Sequence, residues 1–384
     1  MPGIAIVGAG IAGLACGSAL RKAGFDVKVY ERADAPAETG SALGLHSSAV
    51  LALRALGVAA PVEQAGQEVR DWEIRAWDGE VLAAWPQSKV SAAIGAPGIT
   101  VPRSVLWEAL RSAFPDVRTG HTLTSYTADT RGVVLEFADG STDEAGLLIA
   151  ADGLRSTVRE RHFGDGPPGY AGFTAWRGIC AAPPDGLDPH LARQTLGDRS
   201  TFGMWPLADG SVYWVATRAV PDDATAADLA PFRGTHAPVP QLIEATAPDR
   251  ILRTPVYDRP PRPGWSGTRT VLVGDAAHPM VPTTGQGASQ ALLDAVTLAQ
   301  VLSKLASLDD PEPLATALSE YEKRRFPMTA AMAAEARRLG ELHHTADPQL
   351  RLRRDQQLRD TTAEEWITRM SGRANPATST GGRR

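Results

Sequence analysis

Cysteine is nearly missing from this chain: Cys16 and Cys180 are the only two in 384 residues. Two thiols cannot build a disulfide framework, and by themselves they cannot complete a four-ligand zinc site, so no metal is expected. Cys16 falls inside the first predicted helix and reads as a small buried residue. Lysine is scarce as well, confined to positions 22, 28, 89, 304 and 323, so Arg carries nearly all the positive charge. With abundant Ala, Gly and Pro, that bias points to a GC-rich genome more than to a binding function. The net charge of −5 comes without blocks of one sign, which argues against nucleic acid as a partner. No apolar run approaches the ~20 residues of a membrane span, so no membrane association is expected. A secretory signal is not expected either, because a strand begins at Gly3 and runs directly into a glycine motif. The expected location is cytoplasmic.

What is present is an ordinary globular composition, 43% hydrophobic and 22% charged. The length allows two domains, or one nucleotide-binding fold with an inserted second layer. Ile4-Ala5-Ile6-Val7 suits a buried parallel strand. Apolar residues at helical spacing from Ile11 to Ala23 follow, closed by Gly24, and Val27 to Tyr30 is the next strand. This is a βαβ unit. Ser47 to Leu56 reads as a short helix ended by Gly57, and Trp72 to Trp85 as a hairpin turning at Asp78-Gly79. Val105 to Phe114 is helical. Thr122 to Ala150 gives three strand-like runs with turns at Arg131-Gly132 and Asp139-Gly140, the last apolar enough to be central in a sheet. Strand candidates follow near 172–181, 200–206 and 211–218, the last two joined at Asp209-Gly210. Val271 to Val273 returns to the buried-strand pattern ahead of a helix from about Ala288 to Leu305. Helices continue to about Arg369, and no internal repeat is found.

Three motifs carry chemistry. Gly8-Ala9-Gly10-Ile11-Ala12-Gly13 lies between strand and helix, as a dinucleotide fingerprint requires. Gly8 permits the turn, Gly10 lets backbone approach a pyrophosphate at the helix N-terminus, and Gly13 allows close helix–strand packing. Glu31 closes the second strand, where its carboxylate would accept hydrogen bonds from an adenosine ribose, with Arg32 beside it. The second motif is Ala151-Asp152-Gly153-Leu154-Arg155-Ser156-Thr157-Val158-Arg159. The third runs Gly274-Asp275-Ala276-Ala277-His278-Pro279 and continues through Pro282-Thr283-Thr284-Gly285-Gln286-Gly287-Ala288-Ser289-Gln290.

In that order and spacing, the three motifs resemble the class A, single-component FAD-dependent aromatic monooxygenases of the para-hydroxybenzoate hydroxylase fold, over roughly residues 3 to 340. The resemblance implies an α/β protein: a Rossmann-like FAD-binding domain (residues 1–72, 98–166 and 264–320) with an inserted, mostly antiparallel β-sheet substrate domain (73–97 and 167–263). C-terminal helices (321–370) and a disordered tail (371–384) would complete it. FAD would be held by Gly8, Gly10, Ile11, Ala12, Gly13, Glu31, Arg32, Arg103, Asp152, Gly274, Asp275, Pro282, Gly285, Gly287 and Ala288. Asp275 would bond a ribityl hydroxyl, and Arg103, in an Arg-x-x-Leu segment, would contact the ribityl-phosphate portion. The helix near Ala288 would aim its amides at the pyrimidine end of the flavin. Arg159 reads first as a salt-bridge partner, and His278 as a support for its loop. The family commonly has Pro-Asn after the second strand's Gly-rich segment; here Ser47-Ser48 stand there, and either Ser would serve as N-cap.

The implied reaction uses NADH or NADPH to reduce FAD, O2 to form a flavin hydroperoxide, and that species to hydroxylate an electron-rich ring. A single fingerprint and no redox Cys pair set the chain apart from two-domain disulfide reductases. The period-2 pattern groups Tyr213 with Val215 on one sheet face, and Thr201, Gly203 and Trp205 on one face of the neighbouring strand. With those faces toward the flavin, Trp205 and Tyr213 would line the substrate pocket; Arg177 is a further expected pocket residue, and Tyr213 and His46 are the candidate acid–base groups. The expected partners are a small aromatic substrate and O2, with the chain a monomer or homodimer. Alternatives are an epoxidase, a Baeyer–Villiger-type oxygenase or a non-oxygenating reductase on the same fold, and beyond these a non-catalytic flavin-binding protein.

Overall fold

Ile4–Val7 and Leu147–Ala150 bury every one of their residues, which only a strand flanked and covered on both faces can do. In the computed structural model, which describes residues 3–34, 40–222 and 228–374, they lie side by side at the centre of a five-stranded sheet. Its order is Thr270–Leu272, Leu147–Ala150, Ile4–Val7, Val27–Tyr30, Val117–Arg118, and all its pairs are parallel. The helices Ile11–Lys22 and Gly287–Leu302 bury apolar faces in the same core as this sheet. This is the expected Rossmann-like layer.

The stretch from Thr122 to Ala150 differs from its reading. It forms four strands, because the third run breaks at Gly146, whose N–H donates to the Gly3 carbonyl. Thr142–Ala145 stays in a three-stranded antiparallel sheet with Leu123–Ala128 and Val133–Phe137, while Leu147–Ala150 enters the central parallel sheet.

The second sheet has seven strands, in the order Leu252–Asp258, Gly169–Cys180, Val212–Ala219, Ser200–Pro206, Leu191–Leu196, Asp71–Ala76, Val81–Trp85. It is antiparallel except where Leu191–Leu196 runs parallel to Asp71–Ala76. Two of its strands have weak sequence signals. Leu191–Leu196 carries Arg193, Gln194 and Thr195 in its middle, and Leu252–Asp258 carries Pro255, tolerated because that strand is an edge. One face packs Trp176, Cys180, Phe202, Met204 and Trp214 against the helix Val239–Glu244. The other face looks toward the parallel sheet's loops.

The C-terminal region is helical: Pro311–His343, Pro348–Asp360 and Ala363–Ala374. Residues 371–374 thus continue a helix, and the rest of the expected tail, 375–384, lies outside the described residues.

Candidate active site

Three glycines bring the three motifs together. Gly8 has φ +100°, and a Cβ there would meet the carbonyl carbon of Ala151 at 2.8 Å, so the first loop lies directly on the start of the second motif. A Cβ on Gly13 would overlap the Gly8 carbonyl oxygen, which fixes how closely helix and loop pack. At Gly274 (φ +57°) an added Cβ would stand 2.8 Å from Ala12 Cβ and 3.5 Å from Ala291 Cβ. The third motif is therefore seated between the fingerprint helix and the helix Gly287–Leu302.

Gly10 is different. A Cβ there would meet nothing within 4 Å, so the bare backbone faces open space at the N-terminus of its helix. Neither Gly10 nor Gln286 caps its helix with a side chain, so the leading amides of both helices keep free donors. Ile11 and Ala12 are buried behind that edge. Trp107 Nε1 pins the loop from α-helical residues Arg103–Ala113 by donating to Ala9 O at 2.9 Å. Glu31 holds it from the other side, its Oε2 accepting Ala9 N at 2.8 Å and its Oε1 accepting Ala33 N at 3.0 Å. Arg32 is exposed next to it.

The carboxylates are set by their surroundings. Asp275 is reachable by solvent, yet the protein around it removes enough water to raise its pKa, opposed by His278 and Arg103. That combination marks a cleft wall. An added Cβ on Gly287 would lie 3.9 Å from Asp275 Oδ1, placing the carboxylate beside the helix start. Burial also raises Asp152, whose Oδ2 accepts Val158 N at 3.3 Å while its buried Oδ1 has no hydrogen-bond partner among the described residues. Pro282 opens a 3-10 turn to Thr284, Gly285 follows at φ +63°, and Gly287 and Ala288 begin the helix half-buried.

His278 does not face this cleft. It is buried against Trp265, and its Nε2 lies 2.5 Å from Asp294 Oδ2. That same oxygen accepts Gly274 N at 2.8 Å, and Oδ1 accepts Arg325 Nε at 2.7 Å. Burial alone would raise the Asp294 carboxyl, but His278 and Arg325 outweigh it and hold it at about 2. Arg159, 1% exposed, pairs with Asp165 at 2.8 Å and donates to the carbonyls of Ala276 and Ala277 at 3.0 and 2.9 Å. Sequence reasoning missed Asp294 and Arg325. The available signal was the polar pair Gln290 and Asp294, one helical turn apart in an otherwise apolar helix.

His46 Nε2 stands 3.3 Å from Thr284 O, which brings the end of strand Ala42–Leu45 to the third motif. His46 is also the N-cap of helix Ser47–Leu56, and it is extended at φ −68°, ψ 159°. Neither Ser47 nor Ser48 caps, because both are already inside the first turn.

On the seven-stranded sheet, Arg177 pairs with Val215, Val215 with Gly203, and Tyr213 with both Ile179 and Trp205. The loop at Val281 covers one end of this face through Phe173 and Ala175, and Ala42 covers the other through Tyr213 and Leu207. Arg177, Val215, Ile179 and Trp205 remain half-buried between them, whereas Trp214 on the opposite face is fully buried. Burial raises the Tyr213 phenol, opposed by Arg177 and Arg103. Neither guanidinium makes an ion pair with a described residue.

These residues fit FAD. Open backbone at Gly10, an accessible Asp275, uncapped amides at two helix ends and the side-chain-free Gly285 and Gly287 suit pyrophosphate, ribityl chain and ring in turn. Residues 3–336 match the family model of the FAD binding domain. The chain belongs to the class A FAD-dependent aromatic monooxygenases. Aurachin C monooxygenase/isomerase from Stigmatella aurantiaca is 39% identical over 347 residues, covering 88% of this chain and 89% of the relative. The 3-amino-4-hydroxybenzoate 2-monooxygenase PtmB3 from Streptomyces platensis is 34% identical, covering 92% and 91%. The Klebsiella pneumoniae HpxO structure with FAD and uric acid superposes with a TM-score of 0.87 at 28% identity, covering 97% and 96%. This monooxygenase holds no group of three or more His, Cys, Asp or Glu fit for a metal ion among its described residues.

Proposed function

We infer that this monooxygenase hydroxylates a small electron-rich aromatic or heteroaromatic ring bearing an acidic hydroxyl, with NADH or NADPH as reductant. The observation carrying this reading is the buried Tyr213 phenol, packed with Trp205, Val215 and Leu207 and within electrostatic reach of Arg103 and Arg177. Two cations favour the ionised form of a substrate hydroxyl, which makes the ring more nucleophilic. FAD, when bound, supplies the activated oxygen. The chain's own part is to seat the ring against Trp205 and Val215, exclude water there, and hold a proton at Tyr213 Oη that can be donated in a hydrogen bond to the substrate oxygen. His46, at the loop bearing Thr284 and Gly285, is the second candidate acid–base group beside that cleft. Among relatives, the names 3-amino-4-hydroxybenzoate 2-monooxygenase, 6-hydroxynicotinate 3-monooxygenase and FAD-dependent urate hydroxylase support a substrate of this class.

A second reading is favoured by one relative, named a monooxygenase/isomerase. In it, oxygen insertion is followed by rearrangement of the ring carbon skeleton, as an epoxide product would permit. Product mass and carbon connectivity separate the two. We place the reaction in the cytoplasm, where the reductant is available; no helix among the described residues is long and apolar enough to cross a membrane.

Stopped-flow reduction of the flavin-loaded protein tests the reading. A phenolic ligand should accelerate bleaching of the flavin by NADH or NADPH by at least an order of magnitude. Bleaching at one rate with every phenol, carboxylate and heterocycle tried, and no ring product in air, would sink it.

A further inference from the structure

Several glycines in the seven-stranded sheet are covered by an indole, and one of them differs from the rest. A Cβ on Gly178 would meet Trp214 at 2.8 Å, and one on Gly197 would come closer still to Trp77. Trp214 packs into the core beneath the helix Val239–Glu244, and Trp77, half-buried, packs against the edge of that same core at Phe232. Covering a sheet glycine with an aromatic ring in this way is ordinary structural repair. On the cleft face, a Cβ on Gly203 would stand 2.7 Å from Cζ3 and 3.3 Å from Cζ2 of Trp205. Trp205 is two residues further along the same strand, so its indole folds back along the strand and brings the outer edge of its six-membered ring over Gly203. This indole is half-buried, and unlike Trp214 and Trp77 it packs with Tyr213 and Leu207 on the face away from the helix Val239–Glu244. It is held by Tyr213 (ring centroids 5.8 Å, 33°) and by the edge of Trp72 (6.1 Å, 61°). Val215 lies next to Gly203 across the sheet, and Arg177 lies beyond Val215.

We propose that Gly203 is a specificity-determining residue: its missing side chain lets the Trp205 indole fold back over the strand as the pocket floor, so that a planar ring packs on it with an acidic oxygen toward Arg177. The proposal rests on the substrate class inferred above and deepens it. A side chain at position 203 would lift the indole into the space the substrate needs. The strand itself would not be disturbed, because its ladder partners are backbone groups and any residue suits extended geometry. A merely structural glycine–indole pair would cost stability when filled and leave ligand affinity alone.

The test uses flavin-loaded protein and calorimetric titration with three probes: 3-amino-4-hydroxybenzoate, 6-hydroxynicotinate and 4-hydroxyquinoline. The variants are Gly203→Ala, Trp205→Ala and the double variant. For each probe the wild type binds, Gly203→Ala should weaken Kd by roughly three- to ten-fold, the worth of one aromatic contact. The double variant should bind no more weakly than Trp205→Ala, because no ring is left to displace. Unchanged Kd in Gly203→Ala, or an equal loss in the Trp205→Ala background, overturns the proposal. If Gly203→Ala does not fold, the double variant, free of the clash, is compared with the wild type: a roughly three- to ten-fold weaker Kd equal to that of Trp205→Ala supports Trp205 as the floor, and a wild-type Kd in both overturns the proposal. Wild type that holds flavin but binds none of the probes refutes the substrate reading itself, and the proposal falls with it.

Discussion

Gly10 and Gly13 are three residues apart in one motif, yet they should fail in opposite ways. Gly10 is extended at φ −74°, ψ −173°, a geometry open to any residue, and a Cβ there meets nothing within 4 Å. Gly10→Val should therefore leave the FAD-free fold within about 1 kcal/mol of wild type, the scale of a helix-cap change. It should instead block approach of a pyrophosphate. Losing one charge-assisted amide–phosphate bond, worth about 1.5–3 kcal/mol, weakens FAD by roughly ten- to a hundred-fold. A hundred-fold loss would remove about 2.7 kcal/mol of the stabilisation that FAD confers. Gly13→Ala should do the reverse. Its Cβ overlaps the Gly8 carbonyl oxygen and lies 3.2 Å from Ala151 Cβ, so backbone must move, at an overpacking cost of about 1–3 kcal/mol. Thermal unfolding of the FAD-free proteins, paired with FAD titration by flavin fluorescence, separates the two. Equal loss of stability in both variants, or wild-type FAD affinity in Gly10→Val, would refute the reasoning.

Other outcomes follow from the buried charges and the pocket. Asp294→Asn leaves His278 and Arg325 without their carboxylate and should cost about 3–5 kcal/mol in denaturant unfolding. With its folded pKa held at about 2 against an ordinary 3.8, Asp294 adds stability that is complete above about pH 4 and lost as pH falls toward 2. The variant's stability should therefore be flatter than the wild type's across that window; parallel curves would contradict this. Arg159→Met should release the Ala276 and Ala277 carbonyls, destabilising the protein by a few kcal/mol and weakening FAD measurably. Unchanged FAD affinity would leave Arg159 with no part in holding the loop. Tyr213→Phe should lower the product formed per NAD(P)H oxidised while FAD affinity stays constant. An unchanged ratio would remove Tyr213 from the chemistry.

Much of this was legible in the chain itself, and the exceptions have physical causes. Ile4–Val7, Val27–Tyr30 and Ser47–Leu56 sit where their apolar patterns and bounding glycines put them, because local pattern and burial agree there. The two-faced pattern of the strands at Trp205 and Tyr213 also survives, since period 2 is a property of any strand. Less visible was Leu191–Leu196, whose polar middle is stabilised only by ladders to Ser200–Pro206 and Asp71–Ala76. That pairing is long-range, and one sequence offers no register for it. Asp294 was hidden for the same reason: its partners His278 and Arg325 are 16 and 31 residues away. The capping of Ser47–Leu56 by His46 rather than Ser47 is a one-residue matter of backbone angle, below the reach of residue preference.

The account depends on three separated stretches of backbone gripping one FAD. Amide hydrogen exchange, compared between FAD-free and FAD-loaded protein, reads this directly. Slowed exchange is predicted together in residues 8–13, 152–158 and 282–290, where the loops and helix starts meet at the cleft. Protection restricted to residues 8–13, with the other two stretches exchanging as in the FAD-free protein, would contradict it.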